Sequence, residues 1–130
     1  MSLDTIRLSQ QGREQLITLK RHTGIKQWNV LCRWALCTSL ADPTPPLVRD
    51  IVTDSNVEMS WKTFAGQYGP TYLALIKVRA QREEASIESD ALTRSVHAHI
   101  HRGIGMLGGG QAPSIAGLIS SALAIPVGAR

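Results

Sequence analysis

Residues 97–103 read HAHIHRG, and no other stretch of the 130-residue chain gathers as many side chains suited to chemistry. On a helix, His97 and His101 stand at i and i+4 on one face, a spacing able to hold zinc, while His99 points elsewhere. On a strand the geometry inverts. His99 and His101 would then share a face, as in the His-hydrophobic-His element of single-strand nickases, with Tyr68 or Tyr72 attacking the phosphate. Helix signals on both sides favour the helical reading, and histidines near a helix C-terminus are favourable there. No nearby cysteine or carboxylate completes a metal set, so neither metal nor cofactor is expected.

Other motifs are weaker. Residues 103–108, GIGMLG, match G-x-G-x-x-G in letters but follow a helix instead of a strand, which removes the context dinucleotide binding requires. The chain has no G-K-[ST] phosphate loop, and no Ser-His-Asp constellation can be placed. Cys32 and Cys37 lie five positions apart on one helix, too far for an intrahelical disulfide. Both read as buried structural thiols.

Positive charge is the clearer signal. The net charge is +4. Residues 1–40 carry Arg7, Arg13, Lys20, Arg21, Lys26 and Arg33 against only Asp4 and Glu14, whereas residues 41–130 hold eight basic and eight acidic side chains. The whole excess sits in the first third, where a polyanion is attracted. Only six aromatic residues are present, too few for a base-stacking track of the kind single-strand binders use.

The elements that position these residues follow from periodicity. Residues 5–8, TIRL, alternate polar and apolar and predict a short strand, which needs a pairing partner that a second subunit could supply. Ser9 predicts the N-cap of a helix to about Thr23, with Leu16 and Leu19 inward and Gly24 as its stop. Residues 28–40 form a helix apolar on two sides. One stripe holds Trp28, Leu31, Cys32, Ala35 and Leu36, and the other Val30, Trp34 and Cys37. Burial of Trp28, Leu31 and Leu36 is worth about 1.5–3 kcal/mol each. A second apolar stripe in so short a chain points to a homo-oligomer. Strand, helix, turn and helix within forty residues match a ribbon-helix-helix unit, whose strands pair across a two-fold axis.

Residues 41–56 are a proline-rich loop pinned by Val48, Ile51 and Val52. A second strand is predicted within 57–61. Pro70 then opens a helix to about Glu84 with Tyr72, Leu75 and Ile76 inward, and Ser89 or Asp90 opens a last helix that Gly103 ends. The expectation is a mainly α fold in one domain, residues 1–107: a ribbon-helix-helix-like unit (1–40), the loop (41–56), then a strand and two helices (57–107). Residues 108–130 form a flexible small-residue extension, too interrupted to span a bilayer. Asp4 and Arg7 interrupt any leading apolar run, which favours a reducing cytoplasm.

IRLS, HTGI, LCRWALCTSL, FAGQY and AHIHRG together resemble DndE, the small E component of the bacterial DNA phosphorothioation system, over roughly residues 6–107. Residues 31–40 and 98–103 carry the likeness most specifically. The resemblance implies an oligomeric DNA-handling subunit, a dimer or tetramer, that prefers nicked duplex and works beside a cysteine desulfurase. The DNA role falls on Arg13, Lys20 and Arg21, with Lys26 and Arg33 behind them. Arg33, in mid-helix, is also suited to pairing with a carboxylate across an interface. The alternatives are a DNA nickase built on His99, His101 and Tyr68 or Tyr72, and a scaffold bringing the desulfurase to DNA, with Cys32 or Cys37 as a sulfur carrier.

Overall fold

The computed structural model describes residues 5–47 and 51–108. Strand β1 (Thr5–Arg7) leads into α1 (Gln10–Thr23) and α2 (Trp28–Ala41). After the loop come β2 (Glu58–Ser60), a short α3 (Trp61–Ala65), one 3-10 turn (Gly66–Tyr68), α4 (Gly69–Arg82) and α5 (Ser89–Gly108). The fold is mainly α, as the sequence predicts.

Each boundary has a local cause. Ser9 accepts a hydrogen bond from the Gly12 amide at 3.0 Å and caps α1. At the other end Gly24 adopts φ +77°, the left-handed turn that glycine enters without penalty, and its amide returns to the Lys20 carbonyl. Ser60 caps α3 in the same way through the Thr63 amide. That five-residue helix is absent from the sequence reading, because it is shorter than any periodicity can register.

The partner of β1 corrects the ribbon-helix-helix expectation. β1 pairs antiparallel with β2 of the same chain, Ile6 opposite Met59, so the strand needs no second subunit. The loop makes this possible by returning the chain to the strand it left. The Leu8 amide donates to the Val57 carbonyl at 3.0 Å, and the buried Ser55 hydroxyl donates to the Leu8 carbonyl at 2.7 Å. In that loop Ile51 is half-buried and Val52 is 73% exposed, so Val52 pins nothing; Val48 lies outside the described residues.

The core gathers between α2 and α5. Leu31, Cys32, Ala35 and Leu36 are fully buried, and Trp28 at the head of their stripe is half-buried. Across from them stand Val96, Ile100 and Ile104. Gly103 does not end α5, which continues to Gly108. A Cβ on Gly103 would lie 1.8 Å from the Ala35 carbonyl oxygen, so the glycine serves a close helix crossing and not a C-cap. On the second stripe of α2, Val30 and Trp34 are half-buried and Cys37 is exposed, which corrects the expectation that both thiols are interior. In α4, Leu75 faces outward at 47% exposure, and the inward positions are Ile76, Arg79 and Ala80.

Candidate nucleic-acid interface

The predicted cations spread over the surface around α1. Lys20 holds its ammonium 4.1 Å from the centre of the Trp28 ring, a cation–π contact that fixes its position. Arg21 and Lys26 are exposed and Arg13 is half-buried. Arg33 stands apart from them. Its Nη1 donates to the Phe64 carbonyl at 3.0 Å, so α2 uses it to hold α3.

The histidine cluster is helical, and its members diverge. His101 donates through Nδ1 to the His97 carbonyl at 2.7 Å and accepts the Ser9 amide on Nε2 at 3.0 Å. His97 repeats the pattern one turn earlier, donating to the Thr93 carbonyl and facing the Arg7 amide at 3.4 Å. These two rings tie α5 to the junction between β1 and α1. Burial lowers the His101 pKa, against the raising effect of the His97 carbonyl. His99 looks the other way, into the core, at 2% exposure, with its Nδ1 2.8 Å from the Ser39 hydroxyl.

His99 and His101 therefore do not share a face. Tyr72 packs against Phe64 and lies beside Cys37, with burial raising its pKa, and Tyr68 is 56% exposed. Among the described residues neither tyrosine makes a ring contact with a histidine. Burial also pushes the Cys32 thiol up to about 12 and raises that of Cys37, which keeps both protonated at neutral pH. Among the described residues no group of three or more His, Cys, Asp or Glu is placed to hold a metal ion. No helix among them is long and apolar enough to cross a membrane.

Two arginines overlooked by the sequence reading have the densest polar contacts. α2 ends at Asp42 without a glycine, and its last carbonyls are satisfied by guanidinium groups. Arg79 donates to the carbonyls of Leu40, Asp42 and Thr44 at 2.7–2.9 Å and pairs with Glu83. Arg102 donates to the Ser39 hydroxyl, the Ser39 carbonyl and the Thr44 carbonyl. With Arg102 Nε–H filling one lone pair of Ser39 Oγ, the hydroxyl hydrogen is assigned to His99 Nδ1. The only available signal was that Arg79 and Arg102 each follow an apolar helical stripe.

The buried His99 has a measurable consequence. Desolvation first, then the charges of Arg79 and Arg102, lower its pKa from 6.5 to about 4. Between those values the unfolded chain binds the extra proton, so the stabilisation is complete above pH 6.5 and is lost as pH falls towards 4. The loss is on the order of 3 kcal/mol. Urea denaturation at pH 7.5 and at pH 4.5 should show this drop, and His99→Gln should remove most of it.

A small α-helical protein is thus defined, with a cationic helix on its surface and with the three histidines of α5, Arg79 and Arg102 engaged in holding helix ends and crossings. The chain belongs to the DndE family: the model of DNA sulphur modification protein DndE matches residues 5–112. It is thereby a member of a DNA phosphorothioation system. The crystal structure of DndE from Escherichia coli B7A, a protein involved in DNA phosphorothioation modification, superposes with a TM-score of 0.68 at 25% identity, covering 82% of this chain and 98% of that one. A glycine-to-lysine double mutant of DndE, also involved in DNA phosphorothioation, gives a TM-score of 0.62 at 20% identity, covering 78% and 95%, and is similar in fold. Among curated proteins nothing matches.

Proposed function

We propose that this chain is the DNA-binding subunit of its phosphorothioation system, engaging double-stranded DNA, nicked duplex included, through α1. Arg13 and Lys20 are seven positions apart, about two helical turns, so they share a stripe with Arg21 beside it. One observation carries the reading. Arg13, Lys20, Arg21 and Lys26 pair with no carboxylate among the described residues, in contrast to Arg79, which pairs with Glu83 at the end of α4. Cations left unneutralised in this way supply sequence-independent affinity for phosphates. Arg33, committed to Phe64, contributes least.

The same reading includes self-association as a dimer or tetramer and contact with a cysteine desulfurase. Support comes from apolar side chains turned to solvent on α4, Leu75 at 47% and Val78 at 45% exposure, with Tyr68 at 56% in the preceding turn. An oligomer would repeat the cationic stripe along the duplex.

Lys20→Glu/Arg21→Glu tests the DNA role. Affinity for intact and nicked duplex is expected to fall at least about a hundredfold at low salt. The slope of log affinity against log salt should shrink by about 2, since each lost phosphate contact removes roughly 0.9. Light scattering should report an unchanged mass. Unaltered affinity in the gel shift would overturn the assignment.

A further inference from the structure

A cleft of about 550 Å³ opens where the flank of α1 meets the start of α2 and the outer edge of β2, within the roughly 300–1,000 Å³ typical of small-ligand sites. Arg13, Gln27, Trp28, Asn29, Asn56 and Glu58 are among its walls. The Trp28 ring that borders it is the one held under the Lys20 ammonium. Asn29 is fixed in the wall because its Nδ2 donates to the Thr63 carbonyl at 3.2 Å.

The lining chooses among ligands. One guanidinium and one carboxylate leave it close to neutral, and the Glu58 carboxylate opposes an incoming phosphate. Three carboxamides and Glu58 offer donors and acceptors side by side, next to the Trp28 indole. A flat, uncharged ring with mixed donors and acceptors on its edge fits this lining, which is the chemistry of a nucleobase. Lys20 touches the same indole and Lys26 adjoins Gln27 in sequence, so the surroundings suit the phosphates on either side of such a base.

We propose that this cleft receives one base displaced from the DNA stack, against Trp28 and between the carboxamides. The inference rests on the DNA-binding reading and adds to it a site for a single unpaired nucleotide. One aromatic platform is enough for one base, whereas a single-strand track needs several.

Three duplexes of equal length test it with the full chain: fully paired, with one unpaired adenine, and with an abasic residue at that position. The unpaired adenine should bind about tenfold more tightly than its abasic counterpart. Gln27→Ala/Asn56→Ala, at two exposed positions, should bring that ratio to one. Trp28→Leu should do the same, with circular dichroism reporting whether it folds. Equal affinity of the unaltered protein for both bulged duplexes, with the paired duplex still bound, would overturn the cleft assignment alone. Failure to bind any duplex would overturn the DNA-binding reading, and the cleft with it.

Discussion

Gly103→Ala is expected to cost about 3–5 kcal/mol, at or above the upper end of overpacking penalties and much of the stability of a small domain. The added methyl would meet the Ala35 carbonyl oxygen at 1.8 Å and the Ala35 carbonyl carbon at 2.4 Å. A side chain in the way can rotate, but these are backbone atoms inside α2. Only a shift of one helix against the other relieves the clash, and that shift uncovers Leu31, Leu36, Ile100 and Ile104, all fully buried. Gly105→Ala, two positions on, provides the control. A Cβ there meets nothing within 4 Å, so the change should raise stability by about 0.5–1 kcal/mol through helix propensity. Urea unfolding of the two variants is expected to move the midpoint in opposite directions.

Gly103 also shows where sequence reading stops. A glycine after a helical stripe has two physical uses, a left-handed terminus or a close crossing, and local spacing cannot separate them. Gly24 took the first and Gly103 the second, so the identical inference succeeded for α1 and failed for α5. Caps, stripes and turns are local and were legible: Ser9, Leu16, Leu19 and the buried stripe of α2 stand where periodicity put them. Pairing across the chain is not local. β1 meets β2 from some fifty residues away, and neither strand names its partner.

The candidate site divides along the same line. That α1 carries excess charge is a matter of counting and could be read directly. The cleft beside it joins residues from α1, α2 and β2, so no single stretch announces it. The two stretches most specific to the family resemblance, 31–40 and 98–103, meet in space: Ser39 bonds His99 and Arg102, and Ala35 abuts Gly103. Their residue types suit that contact. Histidines that look catalytic in a string of letters hold helices together here.

Arg79→Met is expected to cost about 3–5 kcal/mol while leaving duplex affinity, corrected for the folded fraction, unchanged. Arg79 is 9% exposed and its guanidinium supplies hydrogen bonds to the carbonyls of Leu40, Asp42 and Thr44, where α2 ends without a glycine cap. Methionine fills the volume but donates nothing, so the Leu40 carbonyl and Glu83 lose their partner, the Asp42 carbonyl keeps only a long contact from Arg102, and the Thr44 carbonyl keeps Arg102 alone. Arg79→Lys should rescue little, because one ammonium cannot span carbonyls that a planar fork reaches at once. Arg102→Met should be less damaging, and the double variant should lose more than the sum, since both arginines donate to the Thr44 carbonyl and only the removal of both leaves it without a donor. Charge removed at Arg79 or Arg102 should therefore appear in unfolding curves, and charge removed at Lys20 or Arg21 in gel shifts. A loss of DNA affinity in well-folded Arg79→Met would mean that the end of α2, and not the flank of α1, meets the phosphates.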